Sequence, residues 1–309
     1  MTNIVVVGSL NMDLVIQVPT IPKPGETVLG DNFATFPGGK GANQAVAAAR
    51  LGASVAMVGQ VGADTYGESL INNLSTEGVN IDQIFVDEFS ATGVAMISVD
   101  ASGQNSIVVA SGANFTLTGE HIQSAWEKIG DIDILIMPLE TPPDTIFESA
   151  RLANKRDVKI VLNPAPARLL DAELLSLVDV LVPNEHEILQ VSEYYDSANT
   201  EVEKAARTLI DQGVNAVVTT LGSKGVSIVE NSKNEVLLPP FSVDVVDTTA
   251  AGDSFVAALA VGLGEGKTLY EASYFANAAG ALTVTKLGAQ PSLPTRTDVK
   301  EFLDHEEEQ

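Results

Sequence analysis

The stretch Ile132-Asp133-Ile134-Leu135-Ile136-Met137, then Pro142 to Lys155, then Val158-Lys159-Ile160-Val161-Leu162, decides the fold. Two short runs rich in branched apolar residues bracket a proline-opened segment of helical length, which predicts strand, helix, strand. Strands apolar at nearly every position are buried on both faces, as in parallel sheets covered by helices. Outward from this unit the alternation repeats. Strands are expected at Ile4 to Val7, Ser54 to Val61, Asp179 to Val182 and Ala216 to Leu221, and helices at Gly41 to Gly52, Asp64 to Glu77 and Asn199 to Gln212. The expected fold class is α/β, a doubly wound, mainly parallel sheet flanked by helices. Further on, Phe255, Ala258, Leu259, Gly262 and Leu263 share one helical stripe, and an Ala-rich helix is expected from about Leu269 to Thr285. The acidic tail Asp304 to Gln309 is expected to fray.

Four extended stretches fall outside this alternation: Leu14 to Val18, about Thr27 to Phe36, Thr92 to Val99 and Asn105 to Ala110. The last two flank the turn Asp100-Ala101-Ser102-Gly103 and read as a hairpin. Together the four predict a small sheet apart from the core, a lid built from insertions at about 14–36 and 91–112 of a single 1–309 domain.

A chain of 309 residues buries a sizeable core without disulfides or metal staples. The absence of cysteine excludes a disulfide framework, thiolate metal sites and thiol catalysis, and suits a cytoplasmic protein. Ile4 to Val7 stops at Gly8, and no apolar run approaches membrane-spanning length, so a soluble, unexported chain is expected. Seventeen basic residues against 41 acidic ones give a net charge of -24. That field repels nucleic acid and anionic membranes. It also opposes an anionic nucleotide, so a nucleotide site here needs backbone amides, helix N-termini and bound cations.

Pro37-Gly38-Gly39-Lys40-Gly41-Ala42-Asn43 sets glycines against a helix start, where a ligand can approach the backbone. It is not a Walker A loop, because Gly41 follows Lys40 where Ser or Thr is required, and no G-x-G-x-x-G fingerprint of a Rossmann oxidoreductase occurs. A second site, Asp247-Thr248-Thr249-Ala250-Ala251-Gly252-Asp253-Ser254-Phe255, stands directly before the Phe255 stripe and forms a helix N-terminus. There the N–H groups of Ala250, Ala251, Gly252 and Asp253 can hold a migrating phosphoryl group while the Asp253 carboxylate takes the proton of an attacking hydroxyl. The transition state of phosphoryl transfer is loose, so an ordinary aspartate suffices. A plain helix cap is the other role open to Asp253. Asn11 and Asp13 read equally as turn residues after the first strand. His121, His186 and His305 lack metal-ligand spacing, and Trp126 reads as core.

Together the two glycine motifs resemble, nearly residue for residue, the two signatures of the ribokinase or PfkB family of carbohydrate and nucleoside kinases. The resemblance runs from Gly8-Ser9-Leu10-Asn11-Met12-Asp13 to Gly288-Ala289-Gln290-Pro291-Ser292. It implies an ATP-dependent sugar kinase with Asn11, Asp13, Gly39, Lys40, Asn43, Glu140 and Asp253 around the sugar. A carboxylate beside amides suits vicinal hydroxyls; a solvated loop acid is the other reading of Glu140. For ATP the resemblance implies Asn184, Glu187, Thr220-Leu221-Gly222-Ser223-Lys224-Gly225, Gly252 and Asn277. A plain glycine turn at 222–225 and a solvent-facing amide at Asn277 remain open. Asn184 and Glu187 reproduce an Asn-x-x-Glu element tied to Mg2+ through water, though Asn184 also suits a helix cap. A K+ site is implied at Asp247, Thr249, Thr283, Lys286, Gly288 and Ser292, through hard oxygen donors. The expected reaction is ATP plus D-ribose giving ADP and ribose 5-phosphate, in a homodimer joined through the lid edges. Within the family, fructose, deoxyribose, ketodeoxygluconate, nucleosides and sugar phosphates are the alternatives, and the net charge and lack of an Arg cluster for a second phosphate weaken the last. A catalytically silent sugar-binding protein on the same fold is the reading from another class.

Overall fold

The computed structural model of the chain describes residues 1–101, 103–193 and 202–307. The first half holds β1 (Asn3–Val7), β2 (Asn11–Gln17), β3 (Phe33–Gly38), α1 (Lys40–Arg50), β4 (Ser54–Gly62), α2 (Thr65–Thr76), β5 (Asn80–Asp87), β6 (Gly93–Val99), β7 (Asn105–Ala110), α3 (Gly119–Lys128), β8 (Ile134–Met137) and α4 (Pro143–Asn154). The second holds β9 (Lys159–Leu162), α5 (Ala172–Leu175), β10 (Val180–Leu181), α6 (Glu187–Ser192), α7 (Val202–Asp211), β11 (Ala216–Thr220), β12 (Val226–Glu230), β13 (Val236–Leu238), α8 (Ala251–Gly264), α9 (Leu269–Thr283) and α10 (Arg296–Glu307).

Nine strands form one sheet in the order β13-β12-β11-β10-β9-β8-β1-β4-β5, parallel except for β12 and β13. The apolar runs explain it. Along β1, Ile4 and Val6 enter one core while Val5 and Val7 enter the other, and along β8 Ile134 and Ile136 part from Leu135 and Met137 in the same way. Both faces are therefore covered, with α1, α8 and α9 on one and α3, α4 and α7 on the other. Trp126 lies in the second core, as expected. From β1 the chain first builds outward through β4 and β5, then restarts on the other side at β8. The crevice at the carboxyl ends of β1 and β8 is thus the switch point, where open α/β sheets bind ligands.

A separate four-stranded sheet, ordered β3-β2-β6-β7, joins two antiparallel pairs through the parallel contact of β2 with β6. Here the structure corrects the sequence reading. Asn11 and Asp13 lie in β2, not in a turn before it, because Asn11 pairs with Gly38 on one side and Gly93 on the other, and Asp13 with Phe36 and Ala95. Strand β3 begins at Phe33 rather than near Thr27; just before it Asn32 and Asp31 still bond the backbone of Gln17, and residues 27–30 are not strand. Ser102 of the 100–103 turn and the first residues of the helix expected from Asn199 lie outside the described residues. The tail does not fray where expected: α10 starts with a reciprocal Thr295–Asp298 cap, buries Val299 and continues to Glu307. Residues 308–309 lie outside the description.

Candidate active site

Ser9 follows β1 and Glu140 follows β8, so both stand at the switch point. The Ser9 hydroxyl donates to Oε2 of Glu140, which also accepts the backbone N–H of Lys40 at 3.1 Å. Glu140 thus ties β1, β8 and α1 together, and it is not a solvated loop acid. Gly39 precedes α1 with φ 89°, a left-handed conformation that a side chain disfavours, and this turn aims Lys40 into the crevice.

Asp253 sits in the first turn of α8 and is 5% exposed. Its side chain does not cap that helix. Instead, Oδ2 accepts from Asn43 Nδ2 and Oδ1 from Gln44 Nε2, each at 3.0 Å. Gln44 Nε2 also donates to Asn163 Oδ1 at 3.1 Å, and Asn163 Nδ2 donates to the Val182 carbonyl at 2.9 Å. The sequence reading singled out neither Gln44 nor Asn163. Gln44 lies off the stripe of Ala42, Ala45, Val46 and Ala49, and it is buried because α1 is covered all round over residues 41–48, so periodicity gave no signal for it.

Ala250 holds φ 60° and ψ 6°, rare for a residue with a Cβ, and turns the chain into α8. The Ala251 N–H is engaged by the Thr248 carbonyl at 3.3 Å, so the four-amide cradle expected from the sequence is narrower. The N–H groups of Gly252 and Asp253 have no partner among the described residues. Both residues line a cavity of about 190 Å³ with Lys40, Asn163, Asn184, Glu187 and Thr220.

Charges are concentrated there. Burial pushes the Asp13 carboxyl up to about 7, and the neighbouring Glu140 and Asp253 add to the effect. Lys40 moves the other way in charge preference: attraction to Asp253 outweighs burial, Glu140 and Glu187 reinforce it, and the ammonium is held charged. Burial raises Glu187, against the Asn184 N–H and the Lys40 charge. One cation, the Lys40 ammonium, thus faces several acids.

The remaining predicted residues divide. Asn184 and Glu187 form a reciprocal cap, with Asn184 Oδ1 accepting from Glu187 N and Glu187 Oε2 from Asn184 N, both at 2.8 Å. Both also line the cavity. Thr220 lines it too. Leu221, Gly222, Ser223, Lys224 and Gly225 instead make the turn from β11 to β12, closed by Leu221 N to Gly225 O at 2.8 Å. A Cβ on Gly225 would lie 2.0 Å from the Leu238 carbonyl, so that glycine answers to packing. Asn277 donates to the Pro239 carbonyl at 2.9 Å, fixing the loop after β13.

Asp247 accepts from Thr249 N and Oγ1 through one oxygen and from Gly288 N through the other. Burial opposes its charge, but these bonds outweigh it and hold the carboxyl below its usual value. Asp247 N also reaches the Val284 carbonyl, and Lys286 N the Thr283 carbonyl. Asp247, Thr249, Gly288 and the 283–286 turn are therefore contiguous, while Thr283 and Ser292 hydroxyls are buried on the carbonyls of Ala279 and Ala289. Among the described residues, no group of three or more His, Asp or Glu side chains is spaced to hold a metal ion, and no helix is long and apolar enough to cross a membrane.

The family model for pfkB family carbohydrate kinases matches residues 1–296. This chain belongs to the pfkB family. Among pfkB kinases it is similar to the ribokinase of Haemophilus influenzae, 46% identical over 302 residues that cover 97% of this chain and 98% of that one. The ribokinase structure from Thermotoga maritima is 40% identical with a TM-score of 0.91, covering 98% of this chain and all of the other. The structure of Arabidopsis thaliana ribokinase complexed with ribose and ATP is 32% identical with a TM-score of 0.89, covering 98% of this chain and 99% of that one. The α/β fold expected from the sequence is the fold these pfkB kinases share.

Proposed function

We propose that this kinase transfers the γ-phosphoryl group of ATP to the 5-hydroxyl of D-ribose, with Asp253 as general base. The observation that carries the reading is the buried Asp253 carboxylate, held through both oxygens, beside the unpartnered N–H groups at the start of α8 and the Lys40 ammonium. The hydroxyl oxygen bonds to the γ-phosphorus, the bond from that phosphorus to the bridging oxygen breaks, and ADP leaves. The hydroxyl proton passes to Asp253. Asn11, Asp13, Gly39, Lys40, Asn43 and Glu140 hold the sugar. Asn43 Oδ1, buried without a partner among the described residues, is an acceptor for one of its hydroxyls. Asn184, Glu187, Thr220 and Gly252 face the nucleotide, with Asn277 and the 221–225 turn behind them.

Glu187, a carboxylate that lines the cavity, would hold Mg2+ through the ion's water shell, and the ion would neutralise phosphate charge. K+ suits the oxygens of Asp247, Thr249, Thr283, Lys286, Gly288 and Ser292, of which the charged Asp247 is the anchor. The four-stranded sheet acts as a lid on the single 1–309 domain. The chain works in the cytoplasm as a homodimer, with apolar Ile107, Val108 and Val109, all about half exposed on β7, as the pairing surface. The -24 charge speaks against a nucleic acid partner.

The test is ADP release from MgATP across free sugars and nucleosides, with and without K+, for wild type and Asp253→Asn. Ribose-dependent release that rises with K+ and falls about 10²- to 10⁴-fold in the variant is expected. Release with another sugar alone removes ribose but keeps the base, and no release with any of them leaves a silent sugar-binding protein.

A further inference from the structure

Asn114, in the short turn after β7, is 1% exposed and makes three hydrogen bonds. Its Oδ1 accepts the Leu10 N–H at 2.8 Å, and its Nδ2 donates to the Leu10 carbonyl at 3.1 Å and to Oδ1 of Asn11 at 2.8 Å. Amide oxygen and nitrogen are usually told apart only by their surroundings. Here the backbone decides. A peptide N–H only donates and a peptide C=O only accepts, so the atom of Asn114 facing each is fixed, and the group it offers Asn11 is an N–H. Asn11 must answer with its oxygen.

We infer that Asn114 is a positioning residue that locks Asn11 with its amide nitrogen toward the sugar, making that position a donor beside the acceptor Asp13. Asn11 is 3% exposed, and its Nδ2 has no partner among the described residues. Asn11 and Asp13 are two apart on β2 and share a face. Gly93 makes the lock possible, because a Cβ there would lie 2.2 Å from Asn11 Oδ1 and 2.3 Å from Asn114 Nδ2. A donor next to a carboxylate selects a group that accepts at its oxygen and gives up a proton, which is a hydroxyl. A carbonyl satisfies Asn11 only, and a hydrogen satisfies neither. This selectivity rests on the sugar reading above.

The first test needs no substrate. In ligand-free wild type, NMR should show both side-chain amide protons of Asn114 protected from solvent exchange and those of Asn11 exchanging, with one Asn114 proton released in Asn11→Ala. Protected Asn11 protons and exposed Asn114 protons would overturn the lock. The second is a double-mutant cycle on the sugar that wild type turns over. Asn114→Asp and Asn11→Ala should each raise the sugar KM about 10-fold, leave the ATP KM in place, and together cost no more than Asn11→Ala alone. Additive losses, or equal losses for sugar and ATP, would show that Asn114 merely supports the fold. Should ribose fail while another sugar is phosphorylated, the substrate falls and the lock is tested unchanged.

Discussion

Gln44 reaches Asp253 with a side-chain N–H, Nε2 to Oδ1 at 3.0 Å, across 209 residues of sequence. The direction of this bond is fixed from behind. The Val182 carbonyl requires an N–H from Asn163, Asn163 then presents its oxygen, and Gln44 must present its nitrogen to both Asn163 and Asp253. A buried amide chain anchored in the sheet thus sets the orientation of the base on α8, while Asn43 restrains the other oxygen.

Gln44→Leu keeps the bulk and removes both donations. Two buried acceptors lose a partner, a cost of about 1–3 kcal/mol each at most, partly relieved if water enters. Positioning loss should lower kcat about 10- to 100-fold with the sugar KM little changed. Steady-state kinetics beside a thermal melt checks this. A melting temperature that falls with kcat intact would assign Gln44 to stability alone.

Gly252→Ala should separate stability from activity. A Cβ at Gly252 meets nothing within 4 Å, and the residue is helical, so alanine stabilises by about 0.4–1 kcal/mol through the unfolded chain. Gly252 also lines the cavity beside Asp253 and Lys40. A methyl there stands where the transferring group approaches the amide. The expected result is a higher melting temperature with a lower kcat/KM for ATP. Unchanged kinetics would place the phosphoryl path elsewhere.

Sequence alone exposed those features whose physics is local. β1, β8 and β9 were legible because strands buried on both faces are apolar at successive positions, and α8 because its stripe starts directly after the small residues of its N-terminus. What escaped depends on partners far along the chain. Asn11 and Asp13 read as turn residues until Gly38 and Gly93 are seen across from Asn11. Asn114 binds Leu10 and Gln44 binds Asn163, contacts 104 and 119 residues apart that no periodicity encodes. Edge strand β5 carries mixed polarity because one side has no neighbour, and the glycines of the 222–225 turn resemble a ligand loop although one answers to the Leu238 carbonyl.

Asp13 gives a prediction in pH. Its carboxyl titrates near 3.8 when unfolded and is raised by burial, with Glu140 and Asp253 adding, to about 7 in the fold. Between those values the native state holds a proton that the unfolded chain has lost, so this residue's contribution to stability declines as pH rises through that window. Above it, the folded chain carries a buried, repelled carboxylate. Asp13→Asn removes the charge, so the variant should melt higher than wild type at about pH 8 and alike at about pH 4, the difference isolating this group from all others that titrate. The ionised carboxylate is also the form that accepts sugar hydroxyl protons. Wild-type kcat/KM for sugar should therefore rise around pH 7, at the upper end of the window in which stability falls, and Asp13→Asn should lose both the rise and most of the sugar affinity. Melting curves that differ equally at both pH values would show that Asp13 acts through packing, with its charge playing no part.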